Sequence, residues 1–354
     1  MGLPNINIIF KETGVSAIKR GERGIVALIL KDDNNNGLIT LNSINEMPTD
    51  LSNYNKSQIS LAFTGYTKPP LKVIAYVLPT AAADYSEAQG SLETTKWDYL
   101  AIPGIAAVDT TNISIWIKSL RDTKNIKVKA VLPNTAADHE GIINFSTDDI
   151  MVGSTMYSSA DYCSRIAGLL AGTPLNISAT YAPLSEVTDV PHLSKSDFDS
   201  GIDAGKLMLI HDGEKVKIAR AVNSLTTTTV DKNEDYKKIK IVDIMDQIFI
   251  DINKTVEDTY TGKCPNDYDH KCVLITALQA YFEMLEDQNL LDSGKSKIGI
   301  DIEAQSNFLK SKGIDVSKLK EQELKEANTG DKVFLGGTVK ILDAMEDFNF
   351  EIGM

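Results

Sequence analysis

At 354 residues, 42% of them hydrophobic and 24% charged, the chain can bury a substantial core, and its composition excludes disordered classes. No run approaches the roughly 20 apolar residues that cross a bilayer, and 36 Lys and Arg against 49 Asp and Glu leave a net charge of −13, which opposes nucleic acid and anionic membranes as partners. The three cysteines, Cys163, Cys264 and Cys272, are too few and odd in number for a disulfide framework, and Met1-Gly2-Leu3-Pro4 has no leader pattern, so reduced thiols and cytoplasmic folding are expected.

The first element is a short strand, Asn5 to Phe10, with Ile6, Ile8 and Phe10 on one face; polar residues follow to Gly24. Gly24 to Leu30 is a continuous apolar run of strand length, closed by the turn cluster Asp32 to Gly37. Strands are predicted near Ile59–Phe63 and Leu71–Leu78, which makes 24–95 a small β-rich domain. From Trp97 strands and helices alternate: strand Tyr99–Ile102, helix Thr110–Leu120, strands Val128–Leu132 and Ile142–Phe145, helix Ser158–Ala171. That rhythm indicates an α/β domain with a parallel sheet over 96–228. Asp212-Gly213 between Leu207–His211 and Lys215–Ala219 predicts a hairpin.

Beyond Thr229 the chain turns helical, over Ile239–Thr259, Val273–Leu285 and Ile302–Lys312, then closes with strands at Val333–Leu342 and Phe348–Ile352, giving a helix-plus-strand region, 229–342. Phe348, Phe350 and Ile352 share one strand face. Strand-patterned segments at both ends, 1–23 and 343–354, suggest extended arms that add to the sheet of another subunit, because an unpaired strand edge recruits a partner backbone. The alternative is that the two ends pair within one domain.

Catalytic patterns are sparse. The four histidines, His139, His192, His211 and His270, stand in no hydrolase, metalloprotease or nucleophile frame. Gly201 to Leu207 is one residue short of a phosphate loop and reads as a helix end and strand start. Asp32, Asn34, Asn36 and Gly37 match half of a calcium loop, but Ser43 stands where the bidentate Glu should be. Cys264, His270 and Cys272 could supply three metal ligands without a fourth at a familiar spacing; two ordinary thiols are the plainer reading. Asp148-Asp149 and Glu286-Asp287 read as solvated or capping pairs.

Local patterns in shared order over almost the whole chain resemble contractile phage tail sheath proteins of the short clostridial and defective-prophage type. They are Leu3–Phe10, Ala17–Gly24, Ala167–Ser178, Arg220–Thr227, Glu257–Lys263 with Asn266, Tyr268 and Lys271, Val333–Lys340 and Asp343–Glu346. The resemblance implies an α/β fold, α+β overall: a central subtilisin-like α/β domain without a catalytic triad, a small N-terminal β-rich domain, a C-terminal helix-plus-strand domain and extended terminal strands.

It further implies a structural subunit, with no enzymatic activity, cofactor or metal, that polymerises around an inner tube and contracts to drive it through a target envelope. Implied partners are the chain itself in a helical stack of six-fold rings, the tail tube protein, and the baseplate and tail terminator proteins, with no nucleic acid and no membrane insertion. Assembly is expected in the bacterial cytoplasm, the product being part of a phage virion or a released R-type bacteriocin. The inter-subunit strand residues are Ile6, Ile8, Phe10, Val333, Leu335, Val339, Ile341, Phe348, Phe350 and Ile352, and the hinges Gly14, Gly21, Asp343 and Glu346. The competing functions are an α/β hydrolase-like enzyme with an unrecognised site, or a non-contractile tube or secretion component.

Overall fold

The computed structural model describes residues 17, 18 and 20–354. The expected strand at Asn5–Phe10 and the hinge Gly14 lie outside them. The chain forms two compact units, one of residues 21–250 with 343–354, the other of residues 1–20 with 251–342.

In the larger unit the elements run β1 (Ile25–Lys31), β2 (Gly37–Leu41), α1 (Asn53–Thr64), β3 (Lys72–Leu78), α2 (Ser86–Leu92), β4 (Tyr99–Ala101), α3 (Ala107–Asp122), β5 (Lys129–Pro133), β6 (Ile142–Phe145), β7 (Ile150–Val152), β8 (Thr155–Tyr157), α4 (Ser159–Ala171), α5 (Lys195–Asp203), β9 (Lys206–Leu207), β10 (Leu209–His211) and β11 (Val216–Ile218). Helix α6 (Ile239–Thr255) follows. A seven-stranded sheet has the order β2-β3-β1-β4-β5-β6-β9, with β2 antiparallel to β3 and every other pairing parallel.

Strand β1 is apolar and buried from Ile25 to Leu30 because both its faces are covered, and ends in the exposed Lys31. Val26, Leu28 and Leu30 enter the core beneath α1 and α4, whereas Ile25, Ala27 and Ile29 enter the one beneath α2 and α3. Its position between β3 and β4 corrects two expectations. No separate β-rich domain exists over 24–95, since β1, β2 and β3 belong to the same sheet as the 96–228 strands. The Ile59–Phe63 segment is helical: Ser52 caps α1 by accepting from the Asn55 amide, and Ile59, Ala62 and Phe63 form a buried stripe at helical spacing. Strand-type residues there are overridden by the cap and the core they meet.

The α1–α4 packing depends on glycine. A Cβ at Gly168 would stand 2.0 Å from the Ala62 carbonyl oxygen, and one at Gly172 2.2 Å from that of Lys68. This explains two glycines of the Ala167–Ser178 segment as close backbone approaches.

Beneath the N-terminal ends of β1, β4 and β5 lies a buried ionic network. Asp243 and Asp246, three apart on α6, face Arg23, Tyr99, Arg121 and Lys129. Asp246 accepts both Arg121 Nη1 and Nη2 at 2.9 Å and pairs with Lys129; Asp243 pairs with Arg23, accepts Tyr99 Oη at 2.6 Å and stands 3.1 Å from Lys129. Burial would raise the Asp246 carboxyl, but Lys129 and Arg121 outweigh it and hold it below the usual carboxylate range.

The smaller unit contains α7 (Tyr268–Asp287), β12 (Lys297–Ile300), α8 (Ile302–Ser311), α9 (Glu321–Glu326) and β13 (Leu335–Thr338). Its first helix begins five residues before Val273, where Asp267 caps it by accepting from the His270 amide at 2.8 Å. Its strands pair antiparallel in a two-stranded sheet, Lys297 opposite Thr338 and Ile300 opposite Leu335. The expected Val333–Leu342 strand is thus shorter, with Ile341 forming only an isolated bridge to Leu291.

Two substitutions test this architecture. Asp246→Asn leaves Lys129 and Arg121 buried beside a neutral amide and is expected to cost about 3–5 kcal/mol, read as a lowered urea midpoint. Gly168→Ala forces α1 and α4 apart and is expected to lose about 1–3 kcal/mol in the same measurement, although alanine is the better helix former.

Candidate assembly surface

Among the described residues the rings of His192 and His270 meet the carboxylates of Asp189 and Asp267, and that of His211 accepts the Gly213 amide. His139 instead sits before β6, its Nε2 3.2 Å from Asp122 and 3.8 Å from Glu140. Burial lowers its pKa despite those carboxylates. Among the described residues Asp122, His139 and Glu140 are the one grouping whose potential metal-binding atoms lie within 4.8 Å of one another. Lys232 at 3.0 Å and Arg121 at 3.9 Å already supply cations to Glu140.

Cys264, His270 and Cys272 do not form such a grouping; His270 instead bonds Asp267, its helix cap, at 2.7 Å. Asp32 is no calcium ligand in waiting either, because its oxygens accept the Ser52 amide at 2.8 Å, the Asn34 amide at 3.1 Å and Asn55 Nδ2 at 2.8 Å. Those bonds, the Ser52 amide first, depress its pKa. Cys163 is buried in α4, its thiol 3.1 Å from the Ser159 carbonyl oxygen and raised by burial. Asp148 accepts the Ser159 amide at 2.7 Å, the capping role expected for that pair.

The distinctive geometry is at the C-terminal end. Residues 343–354 have no strand pairing among the described residues, so the expected strand at Phe348–Ile352 lacks a ladder. Its apolar side chains face outward: Phe348 is 64% exposed, Phe350 77% and Ile352 85%. The two phenyl rings stack with centroids 5.9 Å apart and planes 10° from parallel, as the alternate positions of one strand face allow.

The root of this arm is held rather than loose. Asp343 pairs with Lys238. Glu346 accepts Ser178 Oγ at 2.8 Å and Thr180 Oγ1 at 2.7 Å and lies 3.3 Å from Arg220, which donates to Asp347 at 2.6 Å. The Arg220 guanidinium holds the Asp347 carboxyl below its ordinary value. Burial would lower the Lys238 ammonium, but Asp343 outweighs it and raises it. The chain crosses between the two compact units at 20/21, at 250/251 within α6 and at 342/343, so Gly21 and Asp343, expected as hinges, each begin a segment of the larger unit.

In the smaller unit the β12–β13 sheet leaves both outer edges unpaired among the described residues. Val333 and Val339, on either side of β13, are exposed, Leu335 and Ile341 half-buried. The facing pair Gly299 and Gly336 leaves a stretch of bare backbone. A two-stranded sheet is marginal alone, and open edges accept further strands.

The chain matches the phage tail sheath protein central domain over residues 80–224 and the phage tail sheath C-terminal domain over 231–354. The tail sheath protein of Clostridium phage phiCD119 is 42% identical, across 100% of this chain and 99% of its own. A protein of the phage-like element PBSX of Bacillus subtilis is 30% identical over 49% of this chain and 38% of its own. The sheath tail protein of Desulfitobacterium hafniense has a similar fold, with a TM-score of 0.68 and 17% identity, across 84% of this chain and 94% of that one. So does the anti-feeding prophage sheath in its contracted state, with a TM-score of 0.71 and 11% identity, across 100% and 99%. The chain belongs to the phage tail sheath protein family.

Proposed function

We propose that the chain is the subunit of a contractile sheath that polymerises around an inner tube, linked by its terminal strands, and shortens to drive the tube through a target envelope. The observation that supports this reading is the aromatic-faced arm 348–354 with no ladder among the described residues, together with a two-stranded sheet whose edges are open among them. An arm laid on such an edge gains about five main-chain hydrogen bonds at about 1 kcal/mol net each, and burying each large side chain adds roughly 1.5–3 kcal/mol. A link of that strength holds while the subunit bodies move.

The partners would be other copies in a helical stack of six-fold rings, the tail tube protein, and the baseplate and terminator proteins at its ends; the role is non-catalytic. Head-to-tail contacts that do not close generate a helix from one sequence. The strand order β2-β3-β1-β4-β5-β6-β9 supports a subtilisin-like topology for the sheet. Hinge motion at Gly14, Gly21, Asp343 and Glu346 would carry the change in shape, and the ionic clasp on 343–347 would fix where each C-terminal arm leaves the body.

Deleting residues 343–354, or residues 1–10, is expected to leave a folded monomer that forms no tubes. Negative-stain micrographs decide it: ordered striated tubes from either truncation contradict strand exchange, and narrow cylinders from the intact chain would favour a plain tube protein.

The clasp has a defined pH window. Asp347 is depressed, so its contribution is complete above the ordinary aspartate value near 3.9 and is lost as pH falls through the depressed value; Lys238 is raised, so its contribution is complete below about 10.4 and is lost as pH rises through the raised value. At pH 7 Arg220→Glu should therefore speed glutamyl-endopeptidase cleavage after Glu346 by about two- to fivefold, as expected from exposed ion pairs of about 0.2–1 kcal/mol. An unchanged rate would show that the clasp does not restrain the arm.

A further inference from the structure

We propose that a cavity in the smaller unit binds a small zwitterion, an apolar α-amino acid, with its carboxylate on Lys271 and Tyr260 and its ammonium on Asn266. The cavity, about 630 Å³, is of the size of small-molecule sites and lies between residues 256–274 and the segment leading into β13. One wall is a π-helical turn, Val256–Tyr260, a rare form that recurs at functional sites. Val256, Leu274, Val333 and Leu335 give the cavity an apolar side.

Polar groups of the same lining are buried without adequate partners. Lys271 is 3% exposed, and among the described residues its ammonium meets only neutral oxygens, Thr329 Oγ1 at 3.3 Å and Gln305 Oε1 at 3.5 Å. Burial lowers its pKa, and the charge of Asp267 offsets only part of that. Asn266 Nδ2 bonds the same Thr329 Oγ1 at 3.2 Å, so the cation and the amide stand side by side. That nitrogen also donates to the Gly330 and Lys332 carbonyl oxygens at 2.8 and 2.9 Å, which fixes the amide and presents Oδ1 as an acceptor. Asn266 Oδ1 and Tyr260 Oη are buried with no hydrogen bond among the described residues.

A desolvated ammonium calls for an anionic oxygen, a phenol hydroxyl can donate to the same anion, and a buried amide oxygen calls for a donor. An α-amino acid carries the anion and the donor on one carbon. Inorganic phosphate would set its oxygens against Asn266 Oδ1, and a fatty acid would leave that atom unbonded. Asp331, exposed on the cavity lining, also favours an ammonium, and a hydrocarbon side chain suits the apolar wall. The assignment does not depend on strand exchange.

Saturation-transfer NMR on the full-length chain tests the site with three probes of one carbon skeleton. L-leucine should bind, isocaproate, which lacks the ammonium, should bind about tenfold more weakly, and L-leucinamide, which lacks the carboxylate, should not bind. Leucine should also slow maleimide alkylation of Cys264, which lines the cavity, in a Cys272→Ser background. Lys271→Met should abolish leucine binding without lowering the urea midpoint, because an apolar side chain replaces a buried charge that has no counter-ion within bonding distance. Tyr260→Phe should weaken binding about tenfold, the worth of a hydrogen bond to a charged group. Absence of transfer to millimolar leucine overturns the site, as do equal signals from the three probes or undiminished leucine binding by Lys271→Met. Should Lys271→Met fail to fold, Tyr260→Phe decides, and leucine binding as tight as in the wild-type chain overturns the site. Displacement of leucine by inorganic phosphate at equal concentration overturns the choice of a zwitterion.

Discussion

A β-strand is half a structure: its main-chain donors and acceptors demand a neighbour, and water is only a provisional one. Among the described residues that demand is left open at the C-terminal arm, which bears stacked phenyl rings and has no ladder, and at the β12–β13 sheet, which ends after two strands. In the strand-exchange reading proposed above, copies of one chain complete one another at these places.

In the larger unit, by contrast, a buried cluster of charged groups is paired internally. Asp243 and Asp246 bring four groups from the starts of β1, β4 and β5 and from α3 against one helix, and the cost of dissolving such a cluster falls on every member left unpaired. Elsewhere in the same unit α1 and α4 approach until only glycine fits at 168. Rigid packing of this kind favours movement of a body as a whole. The ion pairs at 343–347 give the chain crossing at 342/343 a defined starting geometry.

Much of the architecture was legible because it is local. Strand Ile142–Phe145, helix Ser159–Ala171 and the Asp212-Gly213 hairpin follow from alternation, a serine cap and a turn dipeptide. What misled was long-range: β1 to β3 read as a separate unit because nothing local reveals that β1 sits between β3 and β4, and Ile59–Phe63 read as a strand because its cap, Ser52, lies seven residues upstream. The alternating aromatics of the arm were legible, although no strand forms there among the described residues, and the clasp at its root was not legible. Arg220, Lys238, Ser178 and Thr180 are scattered over 61 residues and meet Asp343–Asp347 only in three dimensions.

The order of the motifs and the terminal apolar stripes determined the family, since these are properties of the chain read in one dimension. Which residues share the β12–β13 edge and which cation faces which carboxylate were decided by the tertiary structure alone. Charge pairing and desolvation depend on distances of a few ångströms between segments that the sequence holds far apart.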